Sequence, residues 1–248
     1  KGLMTMRPFC APHHTSSAAA LVGGGSNARP GQVSRAHRGV LFLDELPEFA
    51  RSALEALRQP LEDGFISVTR THAQAVYPAQ FMLVCSMNPC PCGYFGSHSH
   101  TCRCTQAELK RYRNRISGPL LDRIDIQIEV ESVPVNQIAM RSPEEPSEAI
   151  RRRVNAARRL QQQRYCNDGI TCNAQLTSRL LEKYCALDEA PRQLMESAAN
   201  VLHLSSRGFT RLIKVARTIA DLDGGANITE QHVAEAIGYR SLDGKYWN

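Results

Sequence analysis

Two adjacent acids, Asp44 and Glu45, follow the apolar run Val40-Leu41-Phe42-Leu43 and carry the sharpest chemical signal in the chain. An apolar strand ending in carboxylates delivers both at the edge where open α/β sheets bind ligands. Nucleotide hydrolysis needs one carboxylate on the magnesium shell and another to activate or orient water. Asp44 suits the first role and Glu45 the second, although both acids could simply favour the positive N-terminus of the next helix. Asn88 ends the next apolar run, placed to hold attacking water or a γ-phosphate, or to form an Asn-Pro turn with Pro89. In Gly118-Pro119-Leu120-Leu121-Asp122-Arg123, the arginine could stabilise transferred charge on a nucleotide held by an adjacent subunit. It could equally pair with Asp122 or Asp125. Arg207 opens a helix and could reach a phosphate, whereas Arg211, Lys214 and Arg217 are assigned to its solvated face.

A second centre is written in cysteine. Cys90, Cys92, Cys102 and Cys104 have the spacing C-x-C-x₉-C-x-C, with Pro91 and Gly93 providing a turn. Four thiolates that converge tetrahedrally make a closed structural zinc site. Buried reduced thiols or a redox pair are the alternatives. His98 and His100 are reserve ligands, and Cys10, Cys85, Cys166, Cys172 and Cys185 are assigned to packing. His13 and His14, adjacent on an extended segment, should point to opposite sides and serve structure or an interface. Arg151-Arg152-Arg153 and Arg158-Arg159 read as a solvated helix face.

The elements that must position these groups fall into two kinds. Val40–Leu43 and Phe81–Cys85 read as buried strands, the first of them parallel. A helix follows Pro47, with Phe49, Leu54, Leu57 and Leu61 at helical spacing and Gly64 as its stop. Ile66–Arg70 and Gln74–Tyr77 form a hairpin around Thr71-His72-Ala73. A basic helix spans about 106–116, and the alternation of Ile124–Val130 predicts a third strand. Beyond Ser142-Pro143-Glu144-Glu145-Pro146 only helices are predicted, near 147–165, 176–185, 188–202, 206–222 and 229–240. The chain is therefore expected to be an α/β domain over 1–138 and an all-helical domain over 139–248.

Composition sets outer bounds. The 248 residues are 42% hydrophobic and 22% charged, which excludes a disordered chain. No stretch approaches the roughly 18 apolar residues of a membrane span, and no secretory leader is visible. Without such a leader the nine cysteines are expected to be reduced, in a cytoplasmic protein. The net charge of +6 permits a polyanionic partner without establishing one.

In order, Asp44-Glu45, Asn88, Leu120-Leu121-Asp122-Arg123 and Arg207 resemble Walker B, sensor 1, arginine finger and sensor 2 of AAA+ ATPases. The wording is similar to the magnesium-chelatase-like subgroup, and within it to the ComM/YifB competence proteins. Arg7-Pro8-Phe9, Pro12-His13-His14-Thr15, the Gly-Val-Leu-Phe-Leu-Asp-Glu-Leu-Pro-Glu-Phe of 39–49, Met87 to Gly93 and Val215 to Leu222 carry the likeness. It implies a partial AAA+ P-loop core with a parallel sheet, followed by a helical lid. It also implies a homo-hexameric, ATP- and magnesium-dependent motor on single-stranded or branched DNA, promoting branch migration. Related motors project a hairpin onto DNA from the position before the Asn88 strand, so Arg70 and His72 become candidate phosphate contacts.

The phosphate-binding loop G-x-x-x-x-G-K-[ST] does not occur in these residues; Gly23-Gly24-Gly25-Ser26 has no lysine for the β/γ-phosphates. The resemblance places that loop, the first strand and a Lon-protease-like domain upstream of Lys1. The chain alone is then expected to hold nucleotide poorly and to be inactive. Two other functions stay open: a chelatase motor that drives magnesium into a porphyrin, and a zinc-stabilised interaction module without catalysis.

Overall fold

The computed structural model describes residues 6–24, 28–70, 73–97, 100–130 and 144–240. They fall into two compact units, Lys1–Ile124 and Asp125–Asn248. The segment 131–143, which includes Ser142 and Pro143 of the expected linker, lies outside the described residues.

A parallel three-stranded sheet forms the frame of the first unit. Its strands are β1 (Phe9–Cys10), β4 (Val40–Leu43) and β7 (Met82–Cys85), in that spatial order. Between β1 and β4 lie α1 (Ala18–Val22), the short pair β2 (Gly23–Gly24) and β3 (Arg29–Pro30), and α2 (Gln32–Arg35). Gly39 is a steric requirement, because a Cβ there would sit 1.9 Å from the Pro8 carbonyl oxygen. That close approach lets the Val40 N–H donate to the same oxygen at 2.9 Å. Leu41 and Leu43 are fully buried with Leu21, Val33 and Leu57. The opposite face of the sheet, expected to be covered too, leaves Phe9 at 67% and Met82 at 64% exposure.

The single helix expected after Pro47 is broken into three pieces. They are a 3-10 turn at Leu46–Glu48, α3 (Arg51–Glu55) and α4 (Arg58–Asp63). Pro60 explains the second break, since its ring would clash with the Ala56 carbonyl of a continuous helix. Gly64 ends α4 with φ of 72°, as a left-handed cap should. The expected hairpin is present as β5 (Phe65–Arg70) and β6 (Ala73–Pro78), paired from Phe65↔Pro78 to Arg70↔Ala73. Next come α5 (Gln106–Arg113), started by a Thr105/Glu108 capping box, and α6 (Gly118–Leu121).

Ile124–Val130 is not a strand. Alternation makes a strand only where a neighbour completes the ladder, and none among the described residues does so. Instead the Gln127 N–H donates to the Tyr239 carbonyl at 2.9 Å, and Val130 is 86% exposed.

The second unit is helical: α7 (Ser147–Arg164), α8 (Ser178–Tyr184), α9 (Glu189–Val201), α10 (Ser206–Leu222) and α11 (Glu230–Gly238). Tyr165, Leu180, Met195, Leu212, Ala216 and Val233 meet in its core. The expectation that Arg217 lines a solvated face is wrong. Its guanidinium is buried, donating from Nε to Asp221 Oδ1 at 3.1 Å and to the Gly225 and Ala226 carbonyls. Asp221 lies four residues on, on the same helix face, and also accepts from Gln161, Arg164 and Asn173.

Burial alone would raise the Asp221 pKa, but hydrogen bonds from Arg164 and Asn173 and the charge of Arg217 hold it below its ordinary 3.8. A depressed carboxyl contributes stability above its unfolded pKa and loses it as pH falls through the folded value. Asp221→Asn keeps the shape and strands Arg217, so it should destabilise the helical unit by about 3–5 kcal/mol at pH 7. Urea titration at pH 7 and pH 3 checks this: the deficit should shrink in acid.

Candidate functional site

The C-terminal ends of β4 and β7 are locked together. The Leu43↔Cys85 register continues outward, with Ser86 N–H donating to the Leu43 carbonyl at 3.0 Å and Leu46 N–H to the Ser86 carbonyl at 2.9 Å. Asp44 therefore stands beside Ser86, whose hydroxyl donates to Asp44 Oδ1. The same oxygen accepts the Glu45 N–H at 3.0 Å. Glu45 itself has left-handed backbone, φ 52° and ψ 49°. For a residue other than glycine that conformation costs about 1–3 kcal/mol, and such strain concentrates at functional sites. It swings the Glu45 side chain out of the strand, where it is half exposed and 3.2 Å from His14 Nδ1.

His13 and His14 do not diverge as expected. They sit in a turn with ring centroids 4.1 Å apart, and His13 Nδ1 is 3.0 Å from Thr15 Oγ1. The extended-chain premise fails because β1 ends at Cys10. Ser86 is a residue beside the acids that the sequence did not single out, and His14 was assigned to structure or an interface rather than to this rim. Ser86 carried a faint signal, standing one place beyond an apolar run. His14 carried no sign of its place beside Glu45, because that proximity depends on strand order.

Asn88 is exposed, and its carbonyl accepts the Tyr112 hydroxyl of α5 at 3.2 Å. Arg115, just beyond that helix, donates to the Pro47 carbonyl at 3.0 Å and Glu48 at 2.8 Å, fastening it to the turn after the acids. Arg123 follows α6 and is not at the start of a strand. Its guanidinium is engaged within its own unit, by the Arg58 carbonyl at 3.1 Å, the Pro119 carbonyl at 2.6 Å and the Glu62 carboxylate. Glu62 is thus an acidic partner of Arg123 that the sequence did not suggest. Arg207 is exposed at the second position of α10, whose cap Ser205 accepts the Gly208 N–H at 3.1 Å. Arg70 ends β5, and His72 lies outside the described residues.

Two residues after Asn88 the cysteine cluster begins. The sulfur of Cys90 is 3.4 Å from that of Cys92 and 3.8 Å from that of Cys102, while Cys92 and Cys102 are 3.6 Å apart. All four sulfurs, Cys104 included, lie within 4.8 Å of one another. Tetrahedral thiolates around zinc at about 2.3 Å stand about 3.8 Å apart, so the residues present fit such an ion. Gly93 N–H donates to the Cys90 carbonyl at 3.0 Å and Phe95 N–H to Cys90 Sγ at 3.3 Å. Backbone N–H groups of Tyr94 and Arg103 both donate to Cys92 Sγ and bring that thiol down to about 6. His100 packs on Tyr94, and His98 lies outside the described residues. Of the other cysteines Cys185 is buried as expected, and burial pushes Cys85 up to about 12. Cys166 is exposed, which overturns its assignment to packing.

Acid-bearing ends of a parallel sheet, followed by a helical unit, define a partial AAA+ core with its helical domain. The family described as "Magnesium chelatase, subunit ChlI" matches residues 1–138, and its C-terminal counterpart matches 144–240. The chain is 46% identical over 239 residues to the uncharacterized protein YifB of Escherichia coli, covering 96% of this chain and 46% of that protein. To competence protein ComM of Haemophilus influenzae it is 46% identical over 238 residues, 95% of this chain and 45% of that one. The magnesium-chelatase 38 kDa subunit of Acidiphilium rubrum is 27% identical over 221 residues, 86% of this chain and 55% of that subunit. The chain belongs to the magnesium-chelatase-like family that includes ComM and YifB. It spans about half the length of the curated YifB and ComM relatives it matches.

Proposed function

We propose that this chain is the catalytic and lid portion of an ATP-driven motor that works on single-stranded or branched DNA in the cytoplasm. The observation that carries the proposal is the joined end of β4 and β7, which sets Asp44, Glu45 and Ser86 on one rim two residues from Asn88. Asp44 would hold the nucleotide's magnesium ion, which supplies charge neutralisation when bound. Glu45 would take the proton of the attacking water, and Asn88 would orient that water or the γ-phosphate. Arg123 would serve a neighbour's nucleotide in a homo-hexamer, and Arg207 would contact its phosphates from the helical domain. The phosphate-binding loop would be supplied by the remainder of the protein. Arg70, at the end of β5, would contact the nucleic-acid backbone together with His72. Similarity to a protein named for competence supports DNA as the polymer.

A second reading, a chelatase subunit, is favoured by the similarity to the 38 kDa magnesium-chelatase subunit. Salt-dependent binding of branched or single-stranded DNA by the intact protein, with hydrolysis stimulated by it, separates the two. A motor on DNA requires both responses, and neither appearing would leave the chelatase.

We infer that the ion for the four cysteines is zinc, since a closed S₄ site suits it and offers no open position for catalysis. Purified protein should carry about one zinc per chain, and Cys92→Ser with Cys102→Ser should abolish it. Metal analysis combined with thiol titration decides the matter. A folded, metal-free protein whose four thiols all react would defeat the inference.

A further inference from the structure

Beside the cysteine cluster is an open pocket lined by Tyr94, Phe95, Gly96, Ser97, His100 and Thr101. Nothing in the ATPase reading uses it. Tyr94 is 44% exposed, and its ring meets that of His100 edge-on with centroids 4.8 Å apart. The pocket is braced from two sides. Phe95 N–H is bonded to Cys90 Sγ, and the Arg113 guanidinium covers the Phe95 ring 4.9 Å from its centroid.

The surrounding charge is one-sided. From Tyr94 to Gly118 the chain holds Arg103, Lys110, Arg111, Arg113 and Arg115 against the single acid Glu108. Glu108 is taken up in capping Thr105, and Arg115 is paired with Glu48. Arg103 and Lys110 are exposed and make no ion pair among the described residues. Arg103 stands between Cys102 and Cys104, whose sulfurs lie within 4.8 Å of that of Cys92, two residues before Tyr94, so the cluster brings the two residues onto one surface.

An exposed flat ring and an exposed arginine carried by the same cysteine cluster match the two parts of a single-stranded nucleotide. The base offers a π-face to the ring, and the phosphate offers its charge to the cation. A duplex keeps its bases stacked and has no face to give Tyr94. An acidic peptide could use the cations but would leave the ring idle.

We propose that Tyr94 and Arg103 form a single-stranded nucleic-acid contact on the cysteine-cluster surface, with a base stacked on Tyr94 and a backbone phosphate on Arg103. The proposal rests on the nucleic-acid reading above but assigns a contact apart from the Arg70/His72 hairpin. The cysteine cluster beneath this surface begins two residues after Asn88, and the helix that follows the cluster holds the Asn88 carbonyl through Tyr112.

The test is fluorescence anisotropy of a labelled oligo-dT 20-mer with the full-length protein, titrated at several salt concentrations. Tyr94→Ala should weaken binding about tenfold with an unchanged salt slope, while Tyr94→Phe should bind as the parent does. Arg103→Ala should weaken binding and lower the salt slope by about 0.7. Metal content and thermal melting of each variant confirm that the cluster is intact. If the parent binds the 20-mer and both alanine variants bind equally well, this contact is wrong while the DNA reading stands. A parent that binds no oligonucleotide sinks both. Competition by dTMP as strong, per nucleotide, as by the 20-mer would convert the site to one for mononucleotides and overturn the proposal. So would displacement by polyglutamate accompanied by an indifferent Tyr94→Ala.

Discussion

In the protein with its phosphate-binding loop in place, Glu45→Gln is expected to leave ATP bound and to slow hydrolysis by about 10²–10⁴-fold. The substitution keeps the volume of the side chain and removes the negative charge that draws a proton from water. The backbone should not move, because the left-handed turn at Glu45 is held by its own N–H on Asp44 Oδ1, independently of the side-chain carboxylate. A glutamine oxygen can still face His14. Filter binding of ATP alongside phosphate release separates binding from chemistry. Turnover near the parental rate would remove Glu45 from the catalytic role and leave its strained backbone without a chemical explanation.

The second large effect concerns Arg123. Its side chain is only 9% exposed and is held by Glu62 within its own subunit. Service to a neighbour therefore requires that this pair open when a nucleotide arrives. Arg123→Ala should lower hydrolysis by about 10³–10⁵-fold, the range over which arginine fingers act. Lysine keeps the charge but loses the planar fork, so Arg123→Lys should be impaired as well. Mixing Arg123→Ala subunits with Glu45→Gln subunits should restore part of the activity. A mixed interface pairs an intact Glu45 on one subunit with an intact Arg123 on the other. A clamp confined to one subunit gives the opposite pattern: Arg123→Ala and Glu62→Gln both melt earlier, and the mixture stays inactive. With subunit exchange demonstrated, an inactive mixture would assign Arg123 to structure.

Much of this frame is legible in the sequence because its signals are local. Val40–Leu43 and Met82–Cys85 are short apolar runs bounded by turn residues, and the helices of the second unit follow plain apolar periodicity. The four cysteines announce their convergence by spacing alone. What escaped depends on distant partners. The two-residue strand Phe9–Cys10 exists because Gly39 admits the Pro8 carbonyl, and without that strand nothing places His14 on Glu45. Ile124–Val130 has the alternation of a strand and lacks a ladder partner among the described residues. Arg217 looked like one cation in a basic helix face, yet its i,i+4 relation to Asp221 was the available sign of a buried pair.

The bonds around Asp44 also bear on which divalent ion the rim would choose. Oδ1 already accepts the Glu45 amide and the Ser86 hydroxyl, which leaves Oδ2 as the oxygen with capacity for an ion. A carboxylate committed in this way binds through one oxygen. Calcium favours six to eight oxygens and often takes both from one carboxylate, whereas magnesium accepts a single oxygen in a tight octahedron completed by water and phosphate. If Asp44 holds the nucleotide's ion as proposed, Ser86, with no chemistry of its own in the reaction, would become a determinant of ion selectivity, tilting the rim toward the smaller cation.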